Sequence, residues 1–290
     1  MSKKQIEGID FTEENKGKRP IYNQNIAECI QAADIHINNP YSNIEEKYFL
    51  TYQIVKYVML MKHPGLITPT HVERCMQLAY NAKANSGCIS RQVGAIITDA
   101  DFSVKAIGWN DVPKGQVPCS LRDLDTFCTQ KDVSSYSKYE LTNEQFCKKM
   151  HELHSETNFK NFNGRSHPYC FKSIYNSINE DNNQVYTRAL HAEENAFLQL
   201  SKYCSGGIKD GYLFTTASPC ELCSKKAYQL GIKKIYYIDP YPGISQEHIL
   251  SFGTGEHNPE MHLFYGAVGR AYTDLFMQFL PIKDELKLLK

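Results

Sequence analysis

The 290-residue chain carries 32 Lys and Arg residues and 32 Asp and Glu residues, so its formal net charge is zero. This length accommodates one or two domains with a sizeable core. Proteins that bind duplex nucleic acid or tRNA usually carry a basic surplus, so the neutral balance argues against a polymeric nucleic-acid substrate.

Signals for export and membrane insertion are missing from the sequence. The N-terminus MSKKQIEGID lacks the apolar core of a signal peptide, and no apolar run approaches the roughly 18 residues of a membrane span. We therefore expect a cytoplasmic protein, in which the ten cysteines serve as thiols or metal ligands rather than as disulfides.

The first part of the chain, residues 1–65, is expected to be an N-terminal helical extension. Apolar residues at helical spacing predict one helix in NIAECIQAADI and a second in NIEEKYFLTYQIVKYVMLM. A third helix is predicted in TPTHVERCMQLAYNAKAN, which Thr68 or Thr70 can cap. This third helix opens the main domain, residues 66–290.

The main domain is expected to be an α/β layered sheet. QVGAIIT and SVKAIGW are short β-rich runs that predict a hairpin. Later, HAEENAFLQLSKY and CELCSKKAYQLG predict helices that alternate with the strands GYLFTT and IKKIYYID. Between the two halves lies a polar insertion, about residues 113–184, which needs its own stabilisation because long structureless loops are uncommon in compact domains. Residues from about 242 to 290 are expected to form a C-terminal helical segment.

Two short motifs on either side of one strand–helix unit carry the chemistry. HAEEN contains His191 and Glu193, and SPCELC contains Cys220 and Cys223. By itself the Cys-x-x-Cys pair fits a redox pair, a structural zinc site or a catalytic metal site. Two thiolates and one imidazole give zinc three protein ligands and leave the fourth tetrahedral position for water. Glu193 is then close enough to carry protons as a general acid/base.

The pattern H-x-E…P-C-x-x-C is the signature of zinc-dependent nucleobase deaminases. The segments RQVGAIIT, AIGWNDVPKG, LHAEENAFL and YLFTTASPCELCSKKAYQLGIKKIYYID resemble, in order and spacing, the deoxycytidylate deaminase family of the cytidine deaminase superfamily. The resemblance covers about residues 70–240. It implies a three-layer α/β/α fold, a catalytic Zn²⁺ on His191, Cys220 and Cys223, and hydrolytic deamination of dCMP, dCTP or both.

The same resemblance implies which residues contact the substrate. It assigns the deoxyribose to Asn110, the base carbonyl to the backbone N–H of Ala192, and the 4-amino group to the backbone carbonyl of Ser218. Tyr241 falls where the family places an aromatic ring beside the pyrimidine, and Arg91 is placed to meet a phosphate. For Asn110 a turn role stays open, and for Arg91 an ordinary surface position.

Bacteriophage members of the family carry a second, structural zinc. The resemblance implies Cys88, Cys119 and His167 as ligands here, with Cys170 in place of the family's remaining ligand. Four such ligands would make a closed tetrahedral site and would stabilise the insertion. His151 and His154 are competing ligands, and buried free thiols are the alternative.

The two ends of the chain resemble parts of larger bacterial anti-phage deoxycytidine nucleotide deaminases. QAADIHINN, IDPYPGIS and GAVGRAYTDLF carry this resemblance, but the chain has no phosphate loop of the kinase-like domain that precedes the deaminase there. The resemblance implies a homo-oligomer and a role in depleting dCTP during infection. The N-terminal helices either dock a partner or another subunit, or form a plain extension.

Two other functions remain open at this point. One is a deaminase of polymeric nucleic acid, such as a tRNA adenosine or DNA cytosine editor, which the neutral net charge disfavours. The other is a non-catalytic zinc scaffold, which would have no use for Glu193.

Overall fold

The computed structural model describes residues 26–39, 47–129, 131–181, 183–203, 208–240, 243–253 and 255–289. Its helices are α1 (Ile26–Ala32), α2 (Lys47–Lys62), α3 (His71–Ala82), α4 (Leu124–Cys128), α5 (Lys138–Thr142), α6 (Glu144–Glu156), α7 (Phe171–Asn179), α8 (Ala192–Tyr203), α9 (Glu221–Gln229), α10 (Gly269–Phe276) and α11 (Ile282–Leu288). Its strands are β1 (Ile35–His36), β2 (Gly94–Thr98), β3 (Val104–Trp109), β4 (Tyr212–Ala217), β5 (Lys234–Asp239), β6 (Glu260–Leu263) and β7 (Gly266–Ala267).

Five strands form a mixed sheet in the order β3-β2-β4-β5-β6. The predicted hairpin is confirmed: β2 and β3 pair antiparallel, with Gly94 opposite Trp109. Strand β4 is antiparallel to β2, whereas β5 runs parallel to β4 and β6 runs parallel to β5. The parallel pair β4–β5 is the strand–helix–strand unit expected around the Cys-x-x-Cys motif.

Helices cover both faces of this sheet. On β2, Ala95 and Ile97 point into one core together with residues of α8 and α9. Ile96 points the other way, into a second core with residues of α3. This alternation follows from the two-residue period of a strand. The predicted three-layer α/β/α architecture is confirmed.

Helix α3 begins where the sequence predicted. Thr70 is its N-cap: Thr70 Oγ1 accepts from the Glu73 amide at 3.1 Å, and Glu73 Oε2 accepts from the Thr70 amide at 2.9 Å. The Glu73 carboxylate also accepts from Lys56 Nζ at 2.8 Å and from Tyr57 Oη at 2.8 Å. One buried carboxylate therefore caps α3 and fastens α2 to it.

The insertion has a hydrophobic core of its own. Its buried members come from α4, α6, α7 and the intervening turns: Leu124, Phe127, Tyr136, Phe146, Met150, Tyr169 and Ile174. Next to this core, the guanidinium of Arg122 bonds to the carboxylate of Glu140, and both side chains are 0% exposed. The stabilisation that the insertion needs is present as packing and a buried ion pair.

The C-terminal segment contains short strands as well as helices. Besides α10 and α11 it contributes β6 to the edge of the sheet, and β7 pairs with β1 near the N-terminus. These strands are four and two residues long, too short for an alternating pattern to be recognised in the sequence.

Helix α2 packs against α10, with Tyr57, Leu60 and Leu275 buried together. No helix in the described part of the chain is long and apolar enough to cross a membrane.

Candidate active site

The three predicted metal ligands meet where two helices begin. His191 immediately precedes α8, Cys220 is the N-cap of α9, and Cys223 lies in its first turn. His191 Nδ1 lies 3.3 Å from Cys220 Sγ and 3.5 Å from Cys223 Sγ. The three ligand atoms lie within 4.8 Å of one another, and among the described residues no other group of three or more His, Cys, Asp or Glu side chains does so.

This geometry fits a tetrahedral zinc ion. Typical Zn–N and Zn–S bonds of about 2.05 and 2.3 Å imply an N···S separation of roughly 3.6 Å in a tetrahedron, close to the separations found here. The pKa of Cys220 is lowered to about 4, first because the Cys223 thiol and then because the His191 ring hydrogen-bonds to its sulfur. The same hydrogen bond to Cys220, followed by burial, raises the pKa of the Cys223 thiol. The two cysteines thus share a proton, and a thiolate is the form that binds metal.

A glycine lets the His191 helix approach the sheet closely. A Cβ on Gly108 of β3 would lie 2.2 Å from the Ala192 carbonyl oxygen and 2.6 Å from the Ala196 amide nitrogen. Asn195 Nδ2 donates to the Trp109 carbonyl at 3.1 Å across the same contact. The Lys226–Glu194 ion pair joins α9 to α8. These contacts fix the position of the N-terminus of α8 relative to the sheet and to α9.

Glu193 lies beside the ligand cluster and is almost fully buried, with 4% of its surface exposed. Its Oε1 accepts a hydrogen bond from Thr215 Oγ1 of β4 at 3.1 Å. Burial raises the pKa of the Glu193 carboxyl above its ordinary value. A carboxyl with a raised pKa can both take up and release a proton near neutral pH.

A cavity of about 170 Å³ opens onto this cluster. His191, Cys220 and Glu193 form part of its wall, and so do four predicted substrate contacts: Arg91, Asn110, Ala192 and Ser218. The fifth predicted contact, Tyr241, lies outside the described residues.

The insertion forms the other wall of the cavity. Five lining residues come from the insertion and from the segment that follows it, and they were not identified from the sequence because they lie outside the motifs that carry the resemblance: Phe171, Lys172, Gln184, Thr187 and Arg188. The only usable sequence signal was the position of Arg188, three residues before the ligand His191.

Two of the predicted contacts, Asn110 and Arg91, also make hydrogen bonds within the protein. Asn110 Oδ1 accepts from the Val93 amide at 2.7 Å, and Asn110 Nδ2 donates to the Arg91 carbonyl at 2.7 Å. The Asn110 side chain therefore stabilises the local turn. Its amide group has further donor and acceptor capacity, so it can also bind a ligand. The Arg91 guanidinium bonds to the buried Asp239 carboxylate at the end of β5.

The second, structural zinc stays a prediction. Cys88, Cys119 and Cys170 line the cavity, but with His167 they form no cluster of ligand atoms among the described residues. The His167 ring belongs to the aromatic packing of the insertion, with its centroid 4.8 Å from that of Phe162 and 6.2 Å from that of Phe159. Of the competing ligands, His154 pairs with Asp125 at 3.0 Å, and His151 is exposed on α6.

Comparison with known proteins identifies the family. The model of the cytidine and deoxycytidylate deaminase zinc-binding region matches residues 69–239. The chain belongs to this deaminase family. The match contains the ligand cluster, Glu193 and the whole insertion, so the family resemblance seen in the sequence motifs is confirmed.

Individual relatives of this chain are distant. Deoxycytidylate deaminase of Schizosaccharomyces pombe is 27% identical over 209 residues, which are 72% of this chain and 48% of that protein. The chain thus spans about half the length of that relative. Deoxycytidylate deaminase of Enterobacteria phage T4 is 28% identical over 166 residues, 57% of this chain and 76% of the relative. The crystal structure of dCMP deaminase from cyanophage S-TIM5 with dCMP and dUMP is 25% identical, with a TM-score of 0.38 over 66% of this chain and 95% of that chain.

Proposed function

We propose that this deaminase hydrolyses deoxycytidine nucleotides, dCMP, dCTP or both, to deoxyuridine nucleotides and ammonia. The observation that carries the proposal is the cluster of His191, Cys220 and Cys223 beside the buried Glu193, at one cavity. The relatives named deoxycytidylate deaminases support the choice of substrate.

His191 Nδ1 and the Sγ atoms of Cys220 and Cys223 would hold one Zn²⁺. When bound, zinc supplies Lewis-acid activation of a water nucleophile at neutral pH. Both cysteines lie at the start of α9, where the positive end of the helix dipole favours thiolates. Zinc binding would release the proton of the Cys223 thiol, whose pKa the hydrogen bond to Cys220 and burial raise. A purely structural site would have no need of the buried acid beside it, so Glu193 favours catalysis over a scaffold.

Glu193 would move the protons of the reaction. It takes a proton from the attacking water as oxygen bonds to C4 of the base and delivers it to N3. The carboxylate then takes the remaining proton from the new hydroxyl on C4 and passes it to the 4-amino group, so that the C4–N bond breaks, ammonia leaves and the C4 carbonyl of the product forms. The hydrogen bond from Thr215 Oγ1 fixes one carboxyl oxygen, and burial raises the pKa of this carboxyl above its ordinary value.

Backbone groups at the two helix starts would orient the base. Ala192 is the first residue of α8, and the amides of a first helical turn have no partner within the helix. Its N–H is therefore suited to the base carbonyl, and the carbonyl of Ser218 to the 4-amino group. Asn110 is placed to contact the deoxyribose, and Tyr241 remains a prediction for the pyrimidine ring.

The wider setting is also a proposal. We propose a cytoplasmic homo-oligomer, supported by an apolar face of α2 on which Tyr52, Val55 and Met59 are 66%, 54% and 41% exposed. The resemblance of the chain ends to anti-phage deaminases supports dCTP depletion during infection as its role.

Product analysis tests the proposal directly. Zinc-loaded protein is incubated with dCMP, dCTP, CMP and cytidine, and the deaminated base and ammonia are quantified. We expect turnover of at least one deoxycytidine nucleotide in preference to CMP and cytidine. Deamination of single-stranded oligonucleotides without turnover of free nucleotides would instead favour a nucleic-acid editor.

A further inference from the structure

A segment that follows the sheet strand β5 contacts the turn that carries one of the three metal ligands. Residues 243–250 form this segment, which ends in a turn of π-helix, Gln246–Leu250. Leu250 is 2% exposed and packs into the core that also contains Ala227 of α9. The match to the family model ends at residue 239, so the segment lies outside the matched region. The proposed mechanism uses none of its residues.

Ser245 joins this segment to the start of α9. It is 8% exposed, and its Oγ donates to the Pro219 carbonyl oxygen at 2.9 Å. The residue before it is bound at the same place, because the Ile244 amide donates to Glu221 Oε1 at 3.0 Å. Two consecutive residues of the segment therefore hold the turn between β4 and α9.

Pro219 is the residue of this turn whose orientation depends most on such a contact. The Ser218 amide is fixed by a hydrogen bond of 2.9 Å to the end of β5, and the Cys220 carbonyl accepts from the Ser224 amide at 2.8 Å. Proline has a fixed φ and no amide hydrogen, so its ψ and the direction of its carbonyl group are left to be set. Ser224 Oγ donates to this carbonyl at 3.4 Å, but Ser224 belongs to α9 and moves with it. Ser245 supplies the shorter bond and comes from a different segment.

The direction of the Pro219 carbonyl affects both of its neighbours. Since Ser218 and Cys220 flank this residue, rotation about its ψ changes the separation between the Ser218 carbonyl oxygen and Cys220 Sγ. The first atom is proposed to accept from the 4-amino group of the base, and the second lies 3.3 Å from His191 Nδ1 in the ligand cluster. A misplacement of about 1 Å can lower the rate of an enzyme about 10²-fold.

We propose that Ser245 is a positioning residue for the deamination. Its hydroxyl fixes the Pro219 peptide, and through it the distance between the Cys220 thiolate and the Ser218 carbonyl. This inference rests on the proposed hydrolysis of deoxycytidine nucleotides. The segment that follows the family domain is then needed for catalysis, although none of residues 243–250 lines the cavity.

The test measures the metal site and the reaction separately. Wild type, Ser245→Ala and Ser245→Thr are compared in zinc affinity by competition with a chelator, in the absorption spectrum of the Co²⁺-substituted protein, and in kcat and KM for dCMP. The Co²⁺ bands respond to the identity and arrangement of the ligands. Loss of one buried hydrogen bond changes an equilibrium constant about 2- to 13-fold. Ser245→Ala should therefore weaken zinc binding by such a factor, shift the Co²⁺ bands and lower kcat about 10- to 100-fold, whereas Ser245→Thr keeps the hydroxyl and should recover most of each loss.

Thr98→Val is the matched control. Thr98 is 0% exposed, and its Oγ1 donates to the Asp99 carbonyl at 2.9 Å. Thr98 pairs with Tyr212 at the first residue of β4, at the end of that strand away from Pro219. This variant loses a similar buried hydrogen bond, so it should keep the wild-type zinc affinity, Co²⁺ spectrum and kcat.

The outcomes separate positioning from stability. Wild-type zinc affinity and Co²⁺ spectrum in Ser245→Ala, or losses that Thr98→Val shares, would overturn the positioning role. If Ser245→Ala did not fold, Glu221→Ala would replace it, because loss of the Ile244 bond frees the same segment; an unchanged spectrum and affinity there would overturn the role as well. A zinc-loaded wild type that deaminates no deoxycytidine nucleotide would contradict the proposed function instead, and the metal measurements would still decide on Ser245.

Discussion

Replacing Glu140 by Gln should destabilise the protein strongly, although Glu140 is far from the ligand cluster in sequence. Glu140 is fully buried and accepts hydrogen bonds from Arg122, Arg188, Tyr169 Oη at 2.9 Å and the Ser137 amide at 2.8 Å. Glutamine keeps the shape and one acceptor oxygen but leaves the buried Arg122 without a counter-charge. Removing one partner of a buried ion pair costs about 3–5 kcal/mol, and the isosteric change places the expected loss near the lower limit.

Unfolding measurements check this magnitude. Urea unfolding of Glu140→Gln should show a loss of about 3 kcal/mol, and the melting temperature should fall by roughly 6–12 °C. Glu156→Gln, at an exposed glutamate at the end of α6, is the matched control and should change the free energy of unfolding by less than about 0.5 kcal/mol. A loss below about 1 kcal/mol for Glu140→Gln would refute the view that this pair holds the insertion together.

The same pair predicts a pH dependence. Burial opposes ionisation of Glu140, but the Arg122 guanidinium and the Ser137 amide outweigh it and hold the pKa below its ordinary value. A depressed pKa stabilises the fold above the pKa of the unfolded state, about 4.3, and this stabilisation is lost as the pH falls through the folded-state value. The stability difference between wild type and Glu140→Gln should therefore be full at pH 7 and shrink below about pH 4.

Three further predictions concern the site and its surroundings. Gly108→Ala should destabilise the protein by about 1–3 kcal/mol and lower zinc content, because a Cβ there would meet the Ala192 carbonyl at 2.2 Å; unchanged zinc content and stability would contradict the close contact. Metal analysis should give one zinc per chain, lost in Cys220→Ser and retained in Cys88→Ala, since only the first residue belongs to the ligand cluster; a second zinc that disappears with Cys88 would restore the structural site. Val55→Asp, on the exposed face of α2, should weaken self-association at least tenfold in analytical ultracentrifugation, whereas a monomeric wild type would remove the proposed oligomer.

Sequence reasoning succeeded where short motifs determine local geometry. The capping Thr70, the β2–β3 hairpin and the two helix starts that carry His191 and Cys220 each depend on residues within a few positions of one another. The ligand cluster followed because two such motifs bracket a single strand–helix unit.

Reasoning failed where contacts between distant segments decide the structure. Strand β6 joins the sheet through backbone pairing with β5. A run of four residues is too short for its hydrophobic pattern to predict this pairing. Lys172 and Arg188 reach the cavity only because the insertion folds around its own core and the Arg122–Glu140 pair. Nothing in the sequence position of Lys172 shows that it shares a cavity wall with His191.

The catalytic role of Glu193 is the central claim, and the variant Glu193→Gln tests it most directly. Zinc content and turnover of dCMP and dCTP are measured on the same sample. Since Glu193 is buried beside the ligands without being one of the three clustered side chains, the variant should bind zinc as wild type does. Loss of a general acid/base lowers the rate about 10²- to 10⁴-fold, so its turnover should fall by at least the lower figure. A zinc-loaded Glu193→Gln protein that deaminates deoxycytidine nucleotides at the wild-type rate would contradict the account.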